Sequence, residues 1–285
     1  MRFALVTAPQ NTTWKEVLAV WQVADEIPVY ESAWTFDHFY PIFGDPTGPC
    51  LEGWITLTAL AQATSRLRLG VMVTGIMYRH PAVLASMAAT LDVISEGRLE
   101  LGLGAGWYET ECDAYGIDLG TLQERFDRFE EGCEAIVGLL HNETTDLAGR
   151  YYRLTAARCE PKPRQYPLPI CIGGQGERRT LRAVAQWAHH WNAGRITPDE
   201  LSRKLEILAG HCAHIGRDPA EISTSVFVFH RPGDDPGAIA DTAAGYREAG
   251  ADMAVISLGR HDPGVIEPLA EGLQPLTASN TSLRS

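Results

Sequence analysis

Apolar positions along the chain switch repeatedly between two spacings. Short runs apolar on every residue, or on alternate residues, fall at 2–6, 32–36, 67–73, 99–103, 170–172, 191–192, 223–229 and 253–258. Between them the apolar residues recur every three or four positions, as at Trp14, Val17, Leu18 and Trp21. The first pattern predicts strands and the second predicts amphipathic helices. Helices are expected at 14–26, 51–63, 81–94, 122–140, 178–189, 198–215, 237–249 and 265–273. Pro81 sits where a first-turn proline costs no hydrogen bond. The alternation breaks once, around 141–168. There a hairpin is expected at 144–153, about Ala148-Gly149, followed by prolines 161, 163, 167 and 169.

Eight strands alternating with helices predict a closed (β/α)8 TIM barrel, an α/β fold, with an inserted irregular segment. Strands buried on both faces account for the continuous apolar runs. The competing doubly wound open sheet wants a GxGxxG turn after its first strand; Ala8-Pro9-Gln10 stands there instead. The barrel is read as one domain over 1–277, with a frayed polar tail at 278–285.

Composition then narrows the partners. The chain has 285 residues, with 24 basic and 36 acidic side chains and a net charge of −12. That balance argues against nucleic acid and against an anionic membrane surface. No apolar run is long enough to span a bilayer. The start lacks the basic and apolar regions of a signal peptide, so the cytoplasm is expected. Cys50, Cys112, Cys133, Cys159, Cys171 and Cys212 are scattered without metal-ligand spacing. They read as reduced thiols, and no metal site is expected.

In a barrel, chemistry gathers where strands end. After the second strand stand Asp37 and His38, which together can hold a proton near neutrality. After the third come Thr74-Gly75 and then Arg79-His80-Pro81, either an anion site or a plain helix start. After the fourth, Gly102, Gly104 and Gly106 form a floor without side chains, beside Trp107 and Tyr108. After the fifth, Gly173-Gly174-Gln175-Gly176 precedes a helix, an arrangement suited to a phosphate. Arg178, Arg179, Arg182, Lys162 and Arg164 are candidate supplements. His189-His190 reads as structural or surface. Asp37, Glu52 and Glu109 leave a hydrolase acid pair open.

The ordered series Asp37-His38-Phe39, Arg66-Leu67-Arg68-Leu69-Gly70, Tyr78-Arg79-His80-Pro81, Ser95-Glu96-Gly97-Arg98-Leu99, Leu101-Gly102-Leu103-Gly104-Ala105-Gly106-Trp107, Gly149-Arg150-Tyr151-Tyr152 and Ile172-Gly173-Gly174-Gln175-Gly176 resembles the luciferase-like oxidoreductases, in particular their coenzyme F420-dependent branch. The resemblance implies hydride transfer between F420, a deazaflavin, and a small organic substrate. The alternative is an FMN-dependent monooxygenase of the same family. More distant alternatives are a cofactor-free hydrolase and a cofactor-binding protein without turnover.

The resemblance makes His38 the catalytic or cofactor-contacting group, supported by Asp37. It implies ring contacts from Met72, Val73, Thr74, Gly75, Gly104, Ala105 and Gly106, with a non-prolyl cis peptide near Met72-Val73. It assigns the phosphate to Gly173, Gly174, Gln175, Gly176 and Arg178. Substrate contacts are expected from Trp107, Tyr108, Tyr40, Tyr78 and Phe43, and a homodimer is the default assembly. The F420-dependent glucose-6-phosphate dehydrogenases carry a Glu where this chain has Trp107. They also carry a Trp where it has Ile42-Phe43, which speaks against a sugar phosphate.

Overall fold

The computed structural model describes residues 1–277. The tail expected at 278–285 lies outside the described residues. In chain order the first half comprises β1 (Arg2–Val6), α1 (Trp14–Asp25), β2 (Tyr30–Thr35), α2 (Gly53–Ala63), β3 (Arg68–Val71), β4 (Thr74–Gly75), α3 (Pro81–Ile94), β5 (Leu99–Gly104), α4 (Glu109–Tyr115) and α5 (Leu122–His141). The second half comprises β6 (Thr145–Ala148), β7 (Arg153–Ala157), β8 (Ile170–Gly173), α6 (Thr180–Trp187), β9 (His190–Asn192), α7 (Pro198–His214), β10 (Ser223–His230), α8 (Pro236–Glu248), β11 (Met253–Leu258) and α9 (Ile266–Thr277).

The strands run in the order β3-β2-β1-β11-β10-β9-β8-β5, all parallel, and β3 returns to pair with β5. Counting β4 as the continuation of β3, this is the closed eight-strand barrel that the alternation predicts. Local chemistry starts its helices. Thr13, Thr121 and Thr197 each form a capping box with a Glu three residues on. The helix expected from 51 begins at Gly53 because Glu52 caps it, accepting from Ile55 N. The hairpin expected at 144–153 extends to Ala157, as the antiparallel pair β6–β7. Its turn is held by Glu131, whose carboxylate accepts from the backbone N–H groups of Arg150, Tyr151 and Tyr152.

The third strand is not one run from 67 to 73. It stops at Val71, turns through a cis peptide at Met72-Val73, and resumes as β4. This is the place the resemblance assigns to such a bond. Here β3 and β5 approach too closely for side chains. A Cβ on Gly102 would lie 1.8 Å from the Val71 carbonyl oxygen, and one on Gly70 would lie 2.5 Å from the Glu100 carbonyl oxygen. Glycine is the residue that permits such an approach.

The lower ends of the strands are stitched by two charged groups. The Asp25 carboxylate accepts from the N–H groups of Ser65, Arg66 and Leu67. The Arg98 guanidinium donates to the carbonyls of Ala61, Thr64, Leu67 and Ser95. Burial opposes the Asp25 charge, but the three backbone donors outweigh it and hold its carboxyl below the ordinary value. Several residues that carry the resemblance therefore serve the scaffold.

Gly102→Ala is expected to destabilise the barrel by several kcal/mol, on the order of a severe overpacking. Gly245→Ala, where an added Cβ meets nothing within 4 Å, is the control. Urea melts of the two variants check this; equal midpoints would contradict the account of closure.

Candidate active site at the barrel mouth

The C-terminal strand ends converge on a shelf built by Val73. Its side chain lies over the glycines of the neighbouring strands. A Cβ on Gly104 would meet it at 2.7 Å, and one on Gly173 at 3.0 Å. Of the predicted ring contacts, Val73 thus covers Gly104, while Thr74 and Gly75 are buried. Trp54 Nε1 donates to Thr74 Oγ1 at 2.9 Å and pins its edge.

His38 stands beside this surface, largely buried, edge-on to Phe36, Trp107 and Tyr108 at centroid distances of 5.0, 5.6 and 5.7 Å. Its partner differs from the expected one. Asp37 makes its side-chain bonds with Arg79 and none with the imidazole. The Asp37 carboxylate takes two bonds from Arg79, at 2.6 and 2.9 Å. Arg79 also donates to Glu52 at 2.5 Å. Burial holds the Asp37 carboxyl above its ordinary value, and the Arg79 bonds offset this only in part; with two such bonds we take the pair as ionised. Burial works against the Arg79 charge, but Asp37 and then Glu52 hold it above its ordinary range.

This triad corrects three expectations. Asp37 does not support His38. The Arg79 guanidinium is engaged by the carboxylates of Asp37 and Glu52, and His80 caps α3, its Nδ1 accepting from Ala82 N. The acid pair is also dismantled, since Asp37 and Glu52 share one guanidinium while Glu109 is exposed beside Arg125.

The group that does support His38 is Glu111, which the sequence reading missed. It lies on α4, a seven-residue helix also missed, because residues 109–115 carry no apolar stripe. Glu111 Oε1 lies 2.6 Å from His38 Nδ1, and Oε2 accepts from Phe39 N at 2.7 Å. The Tyr78 hydroxyl also donates to Oε1. Tyr78 is therefore part of the imidazole's support and not simply a substrate contact. Burial raises the Glu111 carboxyl, yet the bonds from His38 and Tyr78 prevail and hold it below its ordinary value. Burial and Glu111 together push the Tyr78 hydroxyl far up, so it stays a donor. Cys50 Sγ donates to the His38 carbonyl at 3.3 Å. Gln10 fixes the following loop through Ile42 N and the Phe43 carbonyl.

Of the other predicted contacts, Trp107 and Tyr108 flank His38, and Trp107 is 58% exposed. Tyr40 packs on Tyr115, and Phe43 is 59% exposed on the rim. Across the mouth, the 173–176 loop leads into α6, whose N-cap residue Arg179 makes no side-chain cap bond. The helix expected from 178 begins at Thr180. Arg178 is exposed, whereas Arg179 and Arg182 are bound to Glu130 of α5. Lys162 donates to the carbonyls of Leu139 and Asn142. The cation actually packed on the loop is the buried Lys204 of α7. It donates to the Gln175 carbonyl at 2.9 Å and to Glu177 at 3.0 Å. Its alignment on one helix face with buried Leu201 and Leu208 was the available signal.

No helix among the described residues is long and apolar enough to cross a membrane. All six cysteines are free.

Comparison with known proteins adds the family. The sequence profile of the luciferase-like monooxygenases matches residues 1–271. Pyrimidine monooxygenase RutA of Methylobacterium radiotolerans is 32% identical over 73% of this chain and 54% of its own length. The F420-dependent hydroxymycolic acid dehydrogenase of Mycobacterium tuberculosis is 30% identical over 73% of this chain and 57% of its own. The matched regions thus span little more than half of these relatives. An F420-dependent secondary alcohol dehydrogenase, solved with an F420-acetone adduct, has the same fold. Its TM-score is 0.86 at 17% identity, over 96% of this chain and 98% of that one. The F420-dependent tetrahydromethanopterin reductase of Methanopyrus kandleri superposes with a TM-score of 0.83 at 18% identity, over 96% and 99%. The shelf and the polar hub thus sit at the mouth of a luciferase-like (β/α)8 barrel, and the chain belongs to the luciferase-like monooxygenase family.

Proposed function

We propose that this protein is an oxidoreductase that transfers a hydride between coenzyme F420 and a small organic substrate. The observation that carries this reading is the Val73 shelf with a carboxylate-supported imidazole at its edge. A flat, uncharged surface receives a tricyclic ring, and His38 stands where a proton must be supplied or removed as a hydride moves. The deazaflavin supplies the hydride chemistry when bound. Val73, Gly104 and Ala105 support the ring. The 173–176 loop and the first turn of α6 hold its phosphate, with Arg178 at the rim. Lys204 fixes the loop from beneath. His38 holds or moves the proton at Nε2, because Nδ1 is committed to Glu111. Trp107, Tyr108, Tyr40 and Phe43 line the substrate side and favour a largely apolar molecule.

The match to pyrimidine monooxygenase RutA supports a second reading, an FMN-dependent monooxygenase on the same shelf. A deazaflavin reacts poorly with oxygen, whereas reduced FMN activates it, so the two readings separate at the cofactor. Fluorescence titration of the purified protein with each cofactor is the test. Saturable binding of F420 with weaker binding of FMN is expected. Tight FMN binding without F420 binding selects the monooxygenase, and binding of neither overturns both.

His38→Ala is expected to lower kcat by roughly 10²–10⁴-fold, the usual worth of positioned proton transfer. Glu111→Gln, which keeps the shape but not the charge, is expected to cost about tenfold or more while leaving KM nearly unchanged. Glu111 titrates below its ordinary 4.5 in the folded protein. Its contribution is complete above about pH 4.5 and is lost as pH falls through the lowered folded value. The pH–rate profile of wild type should therefore show an acid limb that Glu111→Gln lacks. Identical profiles would remove Glu111 from this role.

A further inference from the structure

At the opposite end of the barrel from the mouth, β5, β8 and β9 bring Glu100, Cys171 and His190 together inside the closed sheet. Glu100 and Cys171 are each the second residue of their strand, and His190 is the first of its own. The three strands are consecutive neighbours, with Cys171 opposite His190 and Gly102 opposite Cys171. One donor atom from each of the three residues lies within 4.8 Å of the other two. All three are buried. The expectation of no metal site rested on spacing along the chain; these residues are 71 and 19 apart and meet only through the sheet.

We propose that this cluster is a binding site for a divalent transition-metal ion of the zinc class, held by His190 Nδ1, Cys171 Sγ and a Glu100 oxygen.

The chemistry of the set suits such an ion. Thiolate, imidazole and carboxylate are the protein donors zinc takes, and three protein donors are completed by a water. One thiolate and one carboxylate neutralise a dication, so the loaded site buries no net charge. The imidazole is already aimed. Its Nδ1 faces Glu100, while Nε2 is anchored 2.6 Å from Ser225 Oγ, which in turn accepts from Asn192 Nδ2 at 2.9 Å. A metal-bound histidine characteristically has its second ring nitrogen tied in this way. Trp34 closes one side, its ring edge-on to His190 at 5.8 Å.

His190 Nδ1 and Glu100 Oε1 now stand 2.5 Å apart as a hydrogen-bonded pair. Two such ligands on one tetrahedral ion stand about 3.3 Å apart, given metal bonds of about 2.0–2.1 Å. Loading therefore needs less than about 1 Å of retreat between His190 and Glu100. The ion ties three consecutive strands together beneath the shelf. Because the cluster is enclosed when the barrel closes, loading accompanies folding.

The test uses the full chain, produced without a histidine tag in minimal medium supplemented with Co²⁺ or, separately, Zn²⁺. The expected result is one ion per folded chain. The cobalt form should show a thiolate-to-cobalt charge-transfer band and melt at a higher temperature than chain produced without added metal. Cys171→Ser should lose that band, and His190→Ala should lose the ion. If a variant fails to fold, the wild-type metal content and spectrum decide alone. Folded wild type with far less than one ion per chain overturns the proposal, as does a thiolate band that survives in Cys171→Ser.

Discussion

Everything at the mouth depends on how closely β3 approaches β5. The two backbones meet at Gly70 and Gly102, where neither strand has room for a Cβ. That contact closes the sheet. Beyond it the chain turns at Met72-Val73 before β4 resumes pairing, with Thr74 opposite Leu103 and Gly75 opposite Gly104. The turn delivers Val73 over Gly104 and Gly173. Glycines thus permit both the close β3–β5 approach and the seating of Val73 over its neighbours.

Polar groups around that surface are shared out without waste. Arg79 satisfies Asp37 and Glu52, tying the loop after β2 to the starts of α2 and α3. Glu111 collects His38, Tyr78 and the Phe39 amide, tying α4 to the same loop. The two acidic hubs differ in exposure to chemistry. One is neutralised by a permanent cation and serves architecture. The other faces the imidazole of His38 through Nδ1. A net charge of −12 says little about such a place, because the local balance is set by pairings and by the backbone dipoles of the 173–176 loop.

The barrel was legible in the sequence because parallel strands buried on both faces leave apolar runs that helices do not. Element boundaries moved where caps decide them, as at Glu52 and Thr180. The strand-end rule located Asp37, His38 and the glycine loops. It did not locate their partners, because those are set by tertiary contact. His38 and Glu111 are 73 residues apart, and α4 has no amphipathic stripe to announce it. Asp37 is claimed by Arg79, 42 residues on. His190 shares strand alternation with Asn192 and is buried, the structural alternative of its sequence reading. In the sequence Arg179 and Arg182 are candidate supplements to the phosphate loop, but Glu130 on a neighbouring helix claims both.

The central claim is that the Val73 shelf receives the cofactor ring with His38 at its reactive edge. A crystal structure of the F420 complex measures this directly. The account predicts the deazaflavin lying on Val73 and Gly104, its phosphate at Gly174–Gly176 and its reactive carbon on the side of His38. A ring bound elsewhere, or one whose reactive carbon faces away from His38, would contradict it.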